Sequence, residues 1–163
     1  NAANIETWGA ELDFSWLPME GLELNGGIGW LDAQIESDIT ADGESLQGNS
    51  PVNSPEWSLN GQIRYEVGVT DDIRLALSGS ANWRDSQYLE TVNAPANLEG
   101  GYWLVDARAT VFSADDRWSV AVWGKNLTNT KYRSYVNDLP GFGWLLNIYG
   151  PPRTYGITTS FNF

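Results

Sequence analysis

The groups in this chain that could do chemistry are carboxylates, guanidinium groups and aromatic rings. His and Cys are both absent. That removes the usual general base, the commonest metal ligand, the thiolate nucleophile and any disulfide. Glu11, Asp13, Glu23, Arg64, Glu66, Arg74, Asp106 and Arg108 are interleaved with apolar residues and mix both signs. Lining an interior, they would meet a solute or an internal domain. Paired with one another, they would form a satisfied network on a wall, which is the simpler reading. The acidic run from Glu36 to Glu44 lacks the Asp-x-Asp-x-Asp-Gly spacing of a calcium loop and reads as a solvated loop. Asn126-Leu127-Thr128 matches a glycosylation acceptor, a short pattern with little specificity. Phe142 and Trp144 stand in a Gly- and Pro-containing segment, where they would touch a ligand or pack on neighbouring loops. The sequence marks no catalytic residue, no cofactor-binding residue and no metal ligand.

What positions these residues is a period of two. From Trp8 the alternate residues are Trp8, Ala10, Leu12, Phe14 and Trp16, with Gly9, Glu11, Asp13 and Ser15 between them. Strict alternation of this kind makes a strand with one apolar and one polar face. Six more runs repeat it, through Leu22–Trp30, Trp57–Val67, Ile73–Trp83, Trp103–Val111, Trp118–Gly124 and Tyr155–Phe163. Helix-period stretches are absent, so seven strands and no helix are expected. Short turns at 18–21, 68–72 and 114–117 alternate with long polar connections at 36–54, 90–101 and about 134–146. An up-and-down meander then has every tight turn at one end and every long loop at the other, as in transmembrane β-barrels.

The apolar face of all seven runs carries no Asp, Glu, Lys or Arg. Its Trp residues sit at the ends of runs: Trp8, Trp16, Trp30, Trp57, Trp83, Trp103 and Trp118, with mostly aliphatic or small residues between. A soluble core concentrates aromatics at strand middles, whereas Trp and Tyr at strand ends form the girdles of a membrane barrel. The Trp8–Trp16 run of nine residues and the Trp57–Val67 run of eleven suit a tilted membrane-crossing strand. On this reading the apolar face meets lipid, and Glu11, Asp13, Arg64, Arg74, Asp106 and Arg108 face the lumen. The net charge of −12 and pI near 4.1 speak against a nucleic-acid partner. A mean hydropathy of −0.33 averages a charge-free face with a polar one.

Two stretches resemble the C-terminal part of TonB-dependent outer-membrane receptors. Trp123-Gly124-Lys125-Asn126-Leu127-Thr128-Asn129-Thr130-Lys131-Tyr132 is similar to that family's penultimate-strand motif. Gly150-Pro151-Pro152-Arg153-Thr154-Tyr155-Gly156, followed by alternation to Phe163, is similar to its last strand. Ser54-Pro55-Glu56-Trp57 and Gly9-Ala10-Glu11-Leu12 are weaker likenesses. The resemblance implies that Tyr155, Ile157, Phe161 and Phe163 form the signal read by the barrel-assembly machinery. It also implies that the short turns are periplasmic.

The family has a plug domain and a barrel of about 22 strands. This chain is therefore expected to be the C-terminal portion of such a barrel, an all-β antiparallel segment over residues 1–163 with the plug absent. The implied function is uptake of a scarce nutrient complex such as a ferric siderophore, across the outer membrane of a Gram-negative bacterium. Energy would come from the TonB complex acting on the plug. The expected partners are outer-membrane lipid, the assembly machinery, the plug with TonB, and a small-molecule nutrient complex. A complete eight-stranded structural or adhesive barrel is the alternative, with a soluble β-sheet binding protein third. Small residues at Gly27, Gly29, Ala76, Ser78, Ser80, Gly156 and Ser160 would fill a narrow eight-stranded interior poorly.

Overall fold

The computed structural model describes residues 4–41 and 43–162. Phe163 of the C-terminal signal and Asp42 of the acidic run lie outside the described residues. In chain order the elements are β1 (Ile5–Met19), β2 (Leu22–Ile35), β3 (Thr40–Ala41), β4 (Glu44–Ser45), β5 (Trp57–Thr70), β6 (Ile73–Arg84) and β7 (Gln87–Tyr88). They continue with β8 (Leu98–Glu99), β9 (Tyr102–Ser113), β10 (Trp118–Lys125), β11 (Arg133–Leu139), β12 (Trp144–Tyr149) and β13 (Thr154–Phe161). Single 3₁₀ turns at Pro95–Asn97 and Pro140–Phe142 are the helical elements among the described residues.

The seven alternating runs become one seven-stranded antiparallel sheet in the order β1-β2-β5-β6-β9-β10-β13. Each strand pairs with the next in sequence, so the meander is uninterrupted. The long connections hold more structure than the alternation shows. Each carries a two-stranded hairpin: β3–β4, β7–β8 and β11–β12. The first two have strands of two residues, too short to display a period. β12 reads Trp144-Leu145-Leu146-Asn147-Ile148-Tyr149, apolar on both faces, and so shows no alternation.

The short turns are tighter than their sequence signals suggest. β1 continues through Pro18, where the register with β2 is interrupted between Trp16 and Met19. The break in pairing at this point accommodates a residue without an N–H. Gly21 takes φ +77°, and a Cβ at this position would strike the Glu66 carbonyl. The Glu66 amide donates to the Gly21 carbonyl at 2.8 Å, tying the first turn to β5. In the turn after β9 the Ser113 hydroxyl and the Arg117 amide hold the Asp115 carboxyl below the usual carboxylate range.

Deep burial lies mostly at the other end. Ile35, Leu46, Leu89 and Val136 are buried beside the long connections, with the side chain of Asn97 among them. Within the sheet itself the buried hydrophobics among the described residues are Ala76, Ala121 and, at the long-loop end of β2, Ile35. β1 is exposed along its whole length. The sheet is thus a wall with two large faces, and the cluster of loops at one end is its packed part.

Candidate functional site

The polar face gathers some of the charges picked out in the sequence and separates others. Glu66 sits between two arginines, 2.5 Å from Arg64 and 2.7 Å from Arg74. Arg74 reaches on to Asp116 in the turn after β9 and lies 5.5 Å from the Phe112 ring centre. Four charges from β5, β6 and a turn therefore neutralise one another at the short-turn end. Asp106 and Arg108 do not join them. Asp106 accepts the Asn126 amide at 2.8 Å, and the Arg108 Nε donates to Thr110 at 3.1 Å. Glu11 lies opposite Gly29 and Asp13 opposite Gly27, and neither forms an ion pair among the described residues.

The two C-terminal motifs meet in space. Asn126 turns the chain at φ +49°, a conformation Asn tolerates better than most residues. Its buried amide donates to the carbonyls of Thr130 at 3.0 Å and Pro151 at 3.1 Å, while its Oδ1 accepts the Thr130 amide at 2.9 Å. The Asn-Leu-Thr triplet is thereby explained as a turn whose Asn side chain is fully used. Arg153 adds bonds from its amide to Asn129 and from its guanidinium to the Leu127 carbonyl, both at 3.3 Å. Glycine makes room for a ring at two places here. Trp123 lies over Gly156 on the polar face and donates to Thr158 at 3.1 Å. Tyr155 and Leu127 cover Gly124 on the apolar face.

At the long-loop end the polar face holds a cleft of about 380 Å³ lined by Asn60, Asn82, Arg84, Tyr102 and Tyr132. The Tyr102 and Tyr132 rings are stacked, with centres 4.6 Å apart. Above it the loops interlock. Arg133 at the start of β11 bonds Glu99 in β8 at 2.6 Å, and the two side chains are only 16% and 13% exposed. Its guanidinium also donates to the carbonyls of Ala96 and Leu98 and to Asn147. A second set joins the first two long connections: the Asn49 side chain bonds the Thr91 carbonyl, and Asn93 and Ser50 bond each other twice. Phe142 and Trp144 project at the end of the β11–β12 hairpin, 77% and 72% exposed. Glu99, Tyr102 and Arg133 escaped the sequence reading, and Trp123 and Tyr132 entered it only as members of the penultimate-strand motif. No local signal joins Arg133 to a carboxylate 34 residues away.

The apolar face orders its rings into two rows. At the long-loop end Trp8 stands two residues beyond Ala10, the partner of Trp30. Trp30 faces Trp57, and Trp83 faces both Leu59 and Trp103. Tyr155 pairs with Gly124, which pairs with Ala107, four residues below Trp103. The upper row drifts steadily toward the short turns from β1 to β13. The lower row, Trp16, Tyr65 and then Trp118 opposite Phe161, drifts the same way. The slope is about 1 to 1.3 residues per strand. With about 3.3 Å per residue and 4.8 Å between strands, that corresponds to two parallel lines crossed at about 35–42°.

A family model described as "TonB dependent receptor-like, beta-barrel" matches residues 1–127. The chain belongs to this family. As a TonB-dependent receptor-like barrel chain it belongs among receptors rather than enzymes. It is 26% identical over 163 residues to the ferric-pyoverdine M114 receptor PbuA of Pseudomonas sp. (strain M114), covering all of this chain and 19% of that protein. Among solved structures, the ferric yersiniabactin uptake receptor FyuA of Yersinia pestis superposes with a TM-score of 0.86 at 21% identity, over 100% of this chain and 24% of that one. The ferric preacinetobactin receptor BauA of Acinetobacter baumannii gives 0.75 at 24% identity, over 96% and 22%. The likenesses to these structures establish the fold, and they extend it past residue 127 through β13. The chain thus spans about a fifth to a quarter of the length of these relatives.

Proposed function

We propose that this chain is a C-terminal section of the barrel wall of an outer-membrane receptor that imports a ferric siderophore. The observation that carries the reading is the pair of parallel aromatic rows. Strands of a membrane barrel tilt by about 35–45°, so girdles at two flat interfaces must drift across a sheet at that slope. Trp8 and Trp16 are eight residues apart, about 26 Å along the strand and about 20 Å in height after tilting. That is close to the ~25 Å apolar band of such barrels. The apolar face then meets lipid and the polar face the lumen. The short turns face the periplasm, and the open order from β1 to β13 continues into further strands. Tyr155, Ile157, Phe161 and Phe163 serve barrel assembly.

The substrate class rests on the named relatives, each a ferric-siderophore receptor. The Arg84–Tyr102–Tyr132 cleft and the Phe142–Trp144 tip are the groups placed to meet a ligand entering from the long-loop side. The mutually neutralised Arg64–Glu66–Arg74–Asp116 group stiffens the wall around a plug, through which TonB supplies the energy. The test is uptake of radiolabelled iron, offered as siderophore complexes to iron-starved cells carrying or lacking the complete protein. Protein-dependent uptake that disappears without TonB is expected. Uptake indifferent to the protein for every complex offered would overturn the substrate class.

A further inference from the structure

The middle of the polar face carries two cations that the groups described above leave over. Arg108 on β9 pairs in register with Ser78 on β6 and Trp123 on β10. Its Nε bonds Thr110, and its two terminal nitrogens meet no carboxylate among the described residues. Lys125 lies two residues beyond Trp123 on the same face, with its Nζ 5.9 Å from the centre of that ring. It too has no carboxylate partner among the described residues. Both side chains are exposed. Between them lies a hollow of about 270 Å³, to which Gln62, Ser78 and Ser80 add further polar groups.

The sign and size of this hollow select what it can hold. Asp106 is the one acid in its lining, and it already accepts the Asn126 amide at 2.8 Å. Two cations against one acid leave the lining positive in a chain of net charge −12. Trp123 offers a ring held in place over Gly156 and by its bond to Thr158. A volume of about 270 Å³ falls below the range of about 300–1,000 Å³ for drug-sized ligands, so the hollow takes one arm of a larger molecule. Its height on the wall matters as well. Along β6, Arg84 of the long-loop cleft stands six residues above Ser78, and Arg74 stands four below. Those steps are about 20 Å and about 13 Å along the strand. Arg74 is neutralised by Glu66 and Asp116. The attraction for an anion therefore continues below the cleft as far as Arg108 and ends there.

We infer that Arg108, Lys125 and Trp123 form a transit site on the lumen wall for a planar, carboxylate-bearing arm of the imported ferric complex. The inference rests on the uptake reading above and narrows it, because complexes with a free carboxylate become the favoured substrates. The Arg108 fork matches a carboxylate through two parallel hydrogen bonds. Lys125 adds a second positive charge, and the face of the Trp123 ring carries the plane of the arm. An exposed ion pair gives at most roughly fivefold in affinity, which lets a complex pause at this level without being trapped.

Fluorine NMR of the complete detergent-purified protein tests the site, with para-trifluoromethylbenzoate and para-trifluoromethylbenzamide as probes of like shape and different charge. Saturable broadening of the benzoate at roughly fivefold lower concentration than the benzamide is expected. Arg108→Gln and Lys125→Gln should each shrink that gap, and Arg108→Lys should restore part of it. Equal binding of the two probes by the unaltered protein, or a gap untouched in both Gln variants, overturns the site. The transit role is tested by iron uptake. Arg108→Gln should lower the maximal uptake rate of a ferric complex with a free carboxylate by roughly fivefold more than that of its methyl ester. Binding of both complexes at the surface of de-energised cells should stay unchanged. Equal losses for acid and ester overturn the inference and assign Arg108 to a bond with the internal domain. An unaltered protein that separates the two probes yet supports no iron uptake overturns the uptake reading instead, so the two failures are told apart.

Discussion

Arg133→Ala should unlock the loop cluster without unfolding the wall. Arg133 meets Glu99 at 2.6 Å through Nε, and its own backbone amide gives Glu99 a second bond at 3.1 Å. Both side chains are largely buried. Truncating the arginine leaves the Glu99 carboxylate without its partner and three further acceptors without their donor. Breaking a buried pair from one side costs about 3–5 kcal/mol. The loss should fall on local opening, because β11 and β12 pair with each other and not with the seven-stranded sheet. The opening equilibrium of the hairpin should rise by roughly two to three and a half powers of ten. Amide hydrogen exchange on the complete protein reads this directly. Amides of 87–99 and 133–149 should lose protection while those of β5, β6 and β9 keep theirs. The double variant Arg133→Met with Glu99→Leu should recover much of the protection, because no buried charge is left alone. Unchanged protection over 133–149, or a loss spread equally through the strands, would refute the reasoning.

Leu12→Arg places a charge midway between Trp8 and Trp16 on the apolar face. It should cost about 2–4 kcal/mol in a lipid bilayer, against at most about 0.5 kcal/mol on a water-facing surface, as read by reversible folding into vesicles. Gly21→Ala forces a side chain into the left-handed region and against the Glu66 carbonyl. A loss of at least about 1 kcal/mol is expected in the same assay. Asn126→Ala removes three side-chain hydrogen bonds that close the 126–130 turn and reach Pro151. It should cost about 2–4 kcal/mol, and Asn126→Asp should lose the Pro151 bond yet keep the one from Thr130, with cleavage by trypsin near Lys131 as the readout.

The seven long strands were legible because one physical cause fixed them: each has a face that excludes charge, and alternation records it. The turn at Gly21 and the paired C-terminal motifs were visible for a related reason. Their backbone conformations admit few residues. The loops were not legible. β12 is apolar on both faces, so its period vanishes, and the two-residue pairs β7–β8 and β3–β4 are too brief to have one. Of the charges marked on the polar face, Arg64 found Glu66 on its own strand and Arg74 found it across the neighbouring one, whereas Asp106 caps a turn. Identical alternation does not distinguish these fates.

By itself the sequence determined the seven long strands of the sheet, the ends at which turns and loops lie, and the separation of charged from charge-free faces, since each depends only on spacing along one strand. Register decided the rest. Only pairing shows that Trp8, Trp30, Trp57, Trp83, Trp103 and Tyr155 lie on one sloping line, that Tyr155 and Leu127 cover Gly124, and that Arg133 finds Glu99. Those relations join residues far apart in the chain, and the free energy that sets them belongs to contacts between strands and loops rather than to any segment alone.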